Sequence, residues 1–269
     1  MIELDKETLR QLQLVQLEML IEVDRICKKC GIQYNIIAGT LLGAVRHKGY
    51  IPWDDDADIA MLRDEYERFR EACKKELDES KFVFQDHRNT KGYRWGYGKI
   101  RRKNTVFLRE NQEHMPYMQG VFIDIFPLDG VPNNYLLRSV KNFECFCVRK
   151  ILWSKVGKFA EKNLIKRKVY QLLDKIPEKK VLNYYEKMIG NSNKRETEMV
   201  RILMFPTPNR QWGYYRKWYK NSAKIVFENT IFQGIRDYDD YLRFKFGKYM
   251  ELPPVENRKV HPVSKIELL

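Results

Sequence analysis

The chain has 269 residues, of which 43% are hydrophobic and 13% aromatic, and this composition excludes a disordered or fibrous protein. Its formal net charge of +14 is unevenly divided, because residues 1–130 carry 21 Lys and Arg against 22 Asp and Glu, whereas residues 131–269 carry 29 against 14. The amino terminus is acidic and no apolar run approaches the roughly 18 residues of a membrane span, so we expect a cytoplasmic protein without a signal peptide.

The first part of the chain alternates helical and strand patterns. Apolar residues at helical spacing predict helices, and short β-branched or aromatic runs predict buried strands. In chain order these are a helix over residues 5–30 that ends at Gly31, a strand over 32–38, a tight turn at Gly39-Thr40, a helix from about Leu41, a strand over 59–62, and a helix capped by Asp64.

Short strands then give way to charged helices. Strands are predicted over 82–86, 93–100, 105–109 and 121–126, Lys-rich helices from about 134 to 190, a mixed aromatic stretch over 199–235, and a last helix from Asp237 to about Met250. The sheet is thus expected in the first half. We predict an α+β fold, in which a mixed β-sheet with flanking helices forms a catalytic core over residues 1–130, and residues 131–269 form a basic, mainly helical elaboration that completes the same fold.

The run Trp53-Asp54-Asp55-Asp56-Ala57-Asp58 is the most informative segment. Two such carboxylates repel by about 4 kcal/mol at 4 Å in an effective dielectric of 20, so the run needs a compensating cation or a cluster of hydrogen-bond donors. Strand alternation places Asp56 and Asp58 on one side, with Asp55 facing away. Asp54 has the same alternation as Asp56 and Asp58 but lies nearer the loop. We expect it to be a further metal ligand or to orient a ligand or the acceptor.

A third carboxylate, Asp124, stands alone in the apolar run Val121-Phe122-Ile123-Asp124-Ile125-Phe126. An unpaired buried carboxylate is costly, so we predict that Asp124 joins Asp56 and Asp58 as metal ligands and catalytic residues. Hard oxygen ligands favour Mg²⁺ or Mn²⁺ completed by phosphate oxygens. Asp129, after Pro127, is predicted to be a turn residue.

Gly39 and Thr40 put backbone donors and a hydroxyl at a predicted helix amino terminus, which favours phosphate binding. The order strand, Gly-Thr, helix, acid-x-acid strand and third acidic strand is typical of the nucleotidyltransferase superfamily, in which a metal bridges carboxylates and nucleotide phosphates. We assign no role to His87, His114 or His261, which have no local partner pattern.

Cations and aromatic rings share one face of the predicted strand over 93–100. Lys99 and Arg101 are expected to contact the diphosphate of a nucleotide donor. Trp95 and Tyr97 lie on the same side, as does Tyr93, and Trp53 and Tyr50 are candidates to join them. Such rings could form a cage for quaternary ammonium through cation–π contacts, or could simply pack on the sheet.

The segment Gly-Thr-Leu-Leu-Gly-Ala-Val-Arg-His-Lys-Gly-Tyr-Ile-Pro-Trp-Asp-Asp-Asp-Ala-Asp-Ile over 39–59 resembles the hallmark of the LicD family. The resemblance continues at Lys99-Ile100-Arg101, at Ile123-Asp124-Ile125-Phe126-Pro127-Leu128-Asp129-Gly130 and at Tyr249-Met250-Glu251-Leu252-Pro253-Pro254. It covers roughly residues 25–260.

This resemblance implies metal-dependent transfer of phosphocholine from CDP-choline to a hydroxyl of a cell-surface or lipid-linked glycan, with release of CMP. The related fukutins transfer ribitol phosphate, so ribitol, glycerol and ethanolamine remain alternative donor alcohols. The resemblance also implies a phosphate contact for Arg46. Two other classes remain open: a nucleotidyltransferase that attaches NMP to a small molecule and releases pyrophosphate, and a basic binding protein without catalysis.

The segment over 138–187 carries 14 Lys and Arg against 5 Asp and Glu, interleaved with aromatic residues. This pattern is expected of a surface that meets the inner membrane leaflet or an anionic polymer, although a solvated helical surface is also compatible. Nucleic acid is not favoured, because no recognition motif is present.

Overall fold

The computed structural model describes residues 4–258 and 260–269. The helices are α1 (Lys6–Cys30), α2 (Ala38–His47), α3 (Arg63–Glu76), α4 (Tyr135–Ala160), α5 (Leu164–Leu173), α6 (Glu178–Ser192), α7 (Arg216–Lys220) and α8 (Tyr238–Phe246). The strands are β1 (Asn35–Ile36), β2 (Asp58–Leu62), β3 (Phe82–Gln85), β4 (Gly98–Arg102), β5 (Val106–Arg109), β6 (Phe122–Val131), β7 (Met199–Arg201), β8 (Tyr214–Tyr215), β9 (Ser222–Phe227), β10 (Thr230–Ile235) and β11 (Val263–Glu267).

The main sheet is mixed, with strand order β3-β4-β6-β2-β1-β10-β9. Strands β2 and β6 are parallel, as are β1 and β10, and the other neighbours along this order are antiparallel. The long strand β6 also pairs with β7, which pairs with β8, and β5 forms a separate ribbon with β11. With helices flanking this sheet, the predicted α+β class is confirmed.

Helix α1 follows its sequence pattern closely. The Asp5 carboxylate accepts a hydrogen bond from the Thr8 amide at 2.7 Å, and Gly31, with φ of 60°, ends the helix in the left-handed region. The apolar side of α1, including Leu12, Met19 and Ile26, is fully buried against the sheet and α3. Local capping and periodicity therefore determine this element.

The expectation that the sheet lies in the first half is wrong. Strands β9 and β10 come from the second half, and Gly234 of β10 pairs with Ile36 of β1. Strand β1 has only two residues and is not the edge of the sheet, because the β9–β10 hairpin from the second half extends the sheet beyond it. The division of roles at residue 130 remains a prediction.

Several predicted boundaries also differ. Helix α2 begins at Ala38, so Gly39 and Thr40 form its first turn and are not a separate tight turn. The strand predicted over 93–100 begins only at Gly98, because the Gly96 carbonyl accepts a hydrogen bond from the Tyr185 hydroxyl at 2.6 Å and is drawn away from the ladder. Helix α3 starts at Arg63, with Asp64 inside its first turn. The last helix ends at Phe246, because Gly247, with φ of 68°, follows it.

Helices α4, α5 and α6 follow β6, and α4 and α6 share a second apolar cluster with β7. Buried Val148 and Leu152 of α4 pack there with Tyr185 and Met188 of α6. Among the described residues, no helix has the length and apolar character that crossing a membrane requires.

Candidate active site

Three neighbouring strands carry charged residues in one row. Asp58 of β2 lies directly opposite Asp124 of β6, and Asp124 lies directly opposite Lys99 of β4. Residues opposite each other in a ladder project to the same face, so these side chains converge. The Lys99 ammonium forms an ion pair with the Asp124 carboxylate.

This row opens into a cavity of about 190 Å³ with an acidic and a basic wall. Asp56, Asp58 and Asp124 form the acidic wall. Lys99, Arg101 and Arg109 form the basic one. The sequence-predicted catalytic triplet and the two predicted diphosphate contacts are therefore brought together in one place.

The carboxylates are electrostatically strained. Burial, followed by the neighbouring Asp56 and Asp124 carboxylates, raises the pKa of Asp58 well above its ordinary value. Burial also raises the pKa of Asp56, although the nearby His261 opposes this effect. Clustered buried acids of this kind require an external positive charge to remain ionised at neutral pH.

The basic wall is desolvated as well. Burial lowers the pKa of Lys99 to about 7, although the Asp124 carboxylate opposes the shift. The Lys99 ammonium lies 3.4 Å from the centroid of the Phe122 ring, and the Arg101 guanidinium carbon lies 5.0 Å from it. Cations held against a ring and away from water are well placed to bind an anion such as a diphosphate.

The donor set fits a hard divalent cation. Asp56, Asp58 and Asp124 offer carboxylate oxygens, which are the ligands that Mg²⁺ and Mn²⁺ prefer, and too few of them to fill an octahedral shell without a substrate or water. Burial, and after it the neighbouring carboxylates, raise the pKa values of Asp56 and Asp58, and a bound cation would favour the ionised form of both. The predicted metal ligation therefore remains compatible with the observed chemistry of the site.

Gly39 and Thr40 support the acidic loop. A Cβ atom on Gly39 would lie 2.5 Å from the Asp54 Oδ2, so glycine leaves room for that carboxylate. The Thr40 hydroxyl accepts a hydrogen bond from the Asp58 amide at 2.8 Å and is buried. Neither residue lines the cavity, so the phosphate contact predicted for them is not supported, and they position Asp54 and Asp58 instead.

Asp54 lies beside the cavity and does not line it. Burial, and then the Asp56 and Asp55 carboxylates, raise the pKa of Asp54 well above its ordinary value. It therefore shares the electrostatic environment of the acidic wall, and its ligation of the metal stays a prediction.

Arg46 and Trp53 also fall outside the cavity lining, contrary to their predicted ligand contacts. The Arg46 guanidinium donates to the backbone carbonyl of Tyr249 at 2.7 Å, because α2 ends against the carboxyl-terminal segment. The face of the Trp53 ring is covered by Arg258, whose guanidinium carbon lies 4.4 Å from the ring centroid.

The predicted aromatic cage is only partly formed. Trp95 and Tyr97 line the cavity as predicted. Tyr50 and Tyr93 are buried away from it, Tyr50 against Phe227 and Tyr93 against Tyr117. For Tyr93 the cause is the irregular backbone before Gly98, which does not keep the alternation of a strand.

His261 belongs to the site, although its sequence surroundings gave no indication of a role. Its Nδ1 atom lies 2.8 Å from the Asp55 Oδ1 and 3.8 Å from the Asp56 Oδ2, and its ring lines the cavity. Asp55 does not line the cavity, but its carboxylate contacts His261. One ligand atom from each of Asp55, Asp56 and His261 lies within 4.8 Å of the others, so the carboxylates of Asp55 and Asp56 are not kept apart as the predicted alternation requires. Only the tertiary contact could reveal this, because 206 residues separate Asp55 from His261.

A second cavity of about 340 Å³ adjoins the first. The two cavities share the rings of Trp95, Tyr97, Trp153 and Phe205. The second cavity adds basic side chains, among them Arg149 and Lys150 of α4. Sequence analysis did not identify these residues of the second half as part of the site.

Asp129 was expected in a turn, and this prediction is wrong, because the residue lies within a strand. It lies within β6 and is fully buried, and its carboxylate accepts two hydrogen bonds of 2.7 Å from the Arg63 guanidinium. A third hydrogen bond, also of 2.7 Å, is donated to this carboxylate by the Asn193 side chain. Asp129 thus anchors the strand that carries Asp124.

The chain is similar to a known protein over almost its whole length. The family model described as LicD/FKTN/FKRP, nucleotidyltransferase domain, matches residues 31–136, which include both cavity walls. A lipopolysaccharide cholinephosphotransferase LicD of Haemophilus influenzae is 30% identical over 267 residues, spanning 98% of this chain and 99% of that protein. Uncharacterized proteins of Rickettsia typhi and Rickettsia prowazekii match over 54 and 48 residues at 41% and 44% identity, covering 18% of each of those proteins.

Proposed function

Since this chain belongs to the LicD family, we propose that it transfers phosphocholine from CDP-choline to a hydroxyl group of a cell-surface glycan and releases CMP. The observation that carries the proposal is the single cavity in which an acidic wall of Asp56, Asp58 and Asp124 faces a basic wall. A CDP-alcohol needs both walls, because its diphosphate requires a bridging cation on one side and direct cationic donors on the other.

In this proposal the acceptor hydroxyl oxygen attacks the β-phosphorus, which bears the alcohol, and the hydroxyl proton passes to a carboxylate of the acidic wall and from there to water. The bond from the β-phosphorus to the bridging oxygen breaks, and CMP leaves with that oxygen. Lys99, Arg101 and Arg109 bind the diphosphate and stabilise the negative charge that develops on the leaving group. Asp56, Asp58 and Asp124 would hold Mg²⁺ or Mn²⁺, which when bound neutralises phosphate oxygens.

The rings of Trp95 and Tyr97 support choline as the donor alcohol, because aromatic faces attract quaternary ammonium. We assign the adjoining cavity to the acceptor glycan. Trp153 offers a ring on which a sugar can stack, and Arg149 and Lys150 suit a sugar that carries an anionic group. Transfer of ribitol, glycerol or ethanolamine phosphate uses the same walls and is the alternative within this chemistry.

The test is to incubate the purified chain with Mg²⁺ and a panel of CDP-alcohols, and to measure CMP release and thermal stabilisation. CDP-choline is expected to give the largest metal-dependent signal, and Asp58→Asn should lose it. The exposed Asp239, on α8, provides the matched control, since Asp239→Asn should behave as wild type. Release of pyrophosphate from CTP would instead favour a nucleotidyltransferase, and full activity of Asp58→Asn would refute the proposed site.

A further inference from the structure

Helix α4 exposes apolar side chains along its first half. Leu136, Val140 and Phe143 are 72%, 67% and 65% exposed, and their spacing of four and three residues places them on one stripe. Phe146 continues this surface, with its ring stacked on that of Phe143 at a centroid distance of 6.4 Å. The opposite side of the helix is the buried one that packs on α6. The exposed stripe is therefore additional to what folding requires.

Helix α5 repeats the arrangement. Ile165, Val169 and Leu172 are 76%, 49% and 63% exposed at the same spacing of four and three residues. The buried side of α5 is provided by Tyr170, whose ring fits against Gly157 of α4, where a Cβ atom would lie 2.8 Å from it. Each helix of the pair thus carries an apolar stripe that no part of the described chain covers.

The two helices meet beside Phe146. The Lys150 ammonium lies 5.5 Å from the centroid of the Phe146 ring and 5.6 Å from that of Tyr170. The part of α5 that carries Tyr170 is therefore next to the middle of α4, so the two helices present their exposed apolar side chains from one packed pair. Apolar surface of this extent on a chain of 269 residues marks an interaction site.

The same surface is strongly basic. Residues 135–173 contain ten Lys and Arg against two Glu. Lys162, Lys166, Arg167 and Lys168 are all exposed, in the α4–α5 connection and the first turns of α5. Exposed apolar side chains among cations are the pattern of a helix that lies in the interface of an anionic bilayer.

We infer that the α4–α5 pair is a membrane-docking surface that binds the anionic face of a lipid bilayer. An anionic polymer would engage the cations but would not need the two apolar stripes. A second copy of the chain would bring two strongly positive surfaces together, which is electrostatically unfavourable. A bilayer with anionic headgroups satisfies both features at once.

The docking surface is continuous with the candidate site. Helix α4 carries Phe143 and Phe146 on the docking surface and, one and two turns later, Arg149, Lys150 and Trp153 in the wall of the second cavity. A lipid-linked acceptor held in the bilayer would therefore find this cavity next to the membrane. Membrane binding itself does not depend on the identity of the donor or the acceptor.

The experiment is co-sedimentation of the full chain with vesicles of phosphatidylcholine alone or with about one third phosphatidylglycerol. Binding is expected only with phosphatidylglycerol, and should weaken as salt is raised. The double variant Phe143→Ser/Ile165→Ser should bind at least about tenfold more weakly, because it removes one large apolar side chain from each stripe. Lys166→Gln/Lys168→Gln should weaken binding by about fivefold or more for each charge removed.

Matched controls come from the β9–β10 hairpin, where Val226 and Ile231 are 51% and 48% exposed and paired across the two strands. Val226→Ser/Ile231→Ser should bind as wild type does. Circular dichroism of each variant, and CMP release with CDP-choline in the absence of vesicles, should be unchanged, so that failure of the docking surface is separated from failure of the proposed chemistry.

Three results would overturn the inference. Wild-type chain that stays in the supernatant with phosphatidylglycerol vesicles removes the membrane role. Unchanged binding of Phe143→Ser/Ile165→Ser, with binding competed by polyglutamate, assigns the surface to an anionic polymer. A dimer in light scattering that becomes a monomer in the same variant, without vesicle binding, assigns it to self-association.

Discussion

Replacement of Asp129 by Asn is expected to destabilise the whole fold, because it leaves the buried guanidinium of Arg63 without its main counter-charge. Arg63 is 6% exposed and Asp129 is fully buried, and two hydrogen bonds of 2.7 Å join them. Breaking a buried ion pair of this kind costs about 3–5 kcal/mol. The Glu67 carboxylate, 3.2 Å from the Arg63 guanidinium, compensates in part, so the lower end of that range, about 3 kcal/mol, is expected for Asp129→Asn.

For a chain of this size each kcal/mol changes the midpoint of thermal unfolding by roughly 2–4 °C, so we expect a decrease of about 6–12 °C. Urea unfolding followed by tryptophan fluorescence provides the free energy independently. The double variant Arg63→Met/Asp129→Leu removes both charges and should recover most of the loss. Glu196→Gln, which breaks the exposed pair with Lys220, is the control and should leave the midpoint unchanged.

The reasoning is refuted if Asp129→Asn lowers the midpoint by less than about 2 °C, or if the double variant is as unstable as the single one. The first result would mean that water or a rearranged Glu67 neutralises Arg63. The second would mean that lost packing or lost hydrogen bonds, and not the unpaired charge, cause the instability. The expected loss of stability should also affect the candidate site, because Asp129 lies on the same strand, β6, as Asp124. Asp129→Asn should therefore weaken nucleotide-dependent stabilisation at temperatures near its own unfolding midpoint.

Five further outcomes follow from the site. Asp58→Asn should lower CMP release by about a hundredfold or more, because metal-ion catalysis contributes several kcal/mol. In metal-free buffer at neutral pH the same variant should unfold at a higher temperature than wild type. Burial raises the pKa of Asp58 in the folded protein, so keeping this group in the fold costs stability as the pH rises above the pKa of the unfolded chain. The difference in unfolding temperature should vanish in acid, where the Asp58 carboxyl is neutral in both states. Arg149→Ala should raise the apparent KM for an anionic acceptor and leave that for CDP-choline unchanged; an effect on both would contradict the separate acceptor cavity. His261→Ala should lower kcat by about tenfold or more with little change in the unfolding midpoint, since its side chain is 46% exposed, and unchanged kcat would remove His261 from the site. Gly39→Ala should displace the Asp54 carboxylate and lower metal affinity, whereas Gly190→Ala, where an added Cβ meets nothing within 4 Å, should not.

The acidic row could be predicted from sequence because its physical causes are local. Four acids within five positions identify the run from Asp54 to Asp58, although β2 begins only at Asp58 and strand alternation does not extend to Asp55 and Asp56. An acid isolated among apolar residues identifies Asp124. Helix α1 can also be predicted from sequence, since its amino-terminal cap, its apolar periodicity and the Gly31 that ends it lie in one continuous segment. The α+β class and the LicD resemblance were confirmed for the same reason: their signals are patterns of neighbouring residues.

Predictions failed where a distant partner decides the local structure. The Tyr185 hydroxyl donates a hydrogen bond to the Gly96 carbonyl, and strand β4 therefore begins only at Gly98. The Arg63 guanidinium donates to the Asp129 carboxylate, which is therefore buried in a strand and does not lie in a turn. Thr40 was assigned to phosphate because its neighbours in sequence suggest a helix amino terminus. Its hydroxyl instead accepts a hydrogen bond from the Asp58 amide, and the two groups meet only because α2 packs against β2.

The sequence by itself determined helices α1 to α3, the approximate positions of the strands before residue 130 and the acidic residues of the site, because each depends on the spacing of residues a few positions apart. Only the tertiary structure decided that His261 lies against Asp55, that Arg149 of α4 lines a cavity beside the acidic row, and that β10 extends the sheet at β1. These contacts join segments far apart in the chain, and the free energy that selects them comes from burial of the whole fold, which no local pattern records.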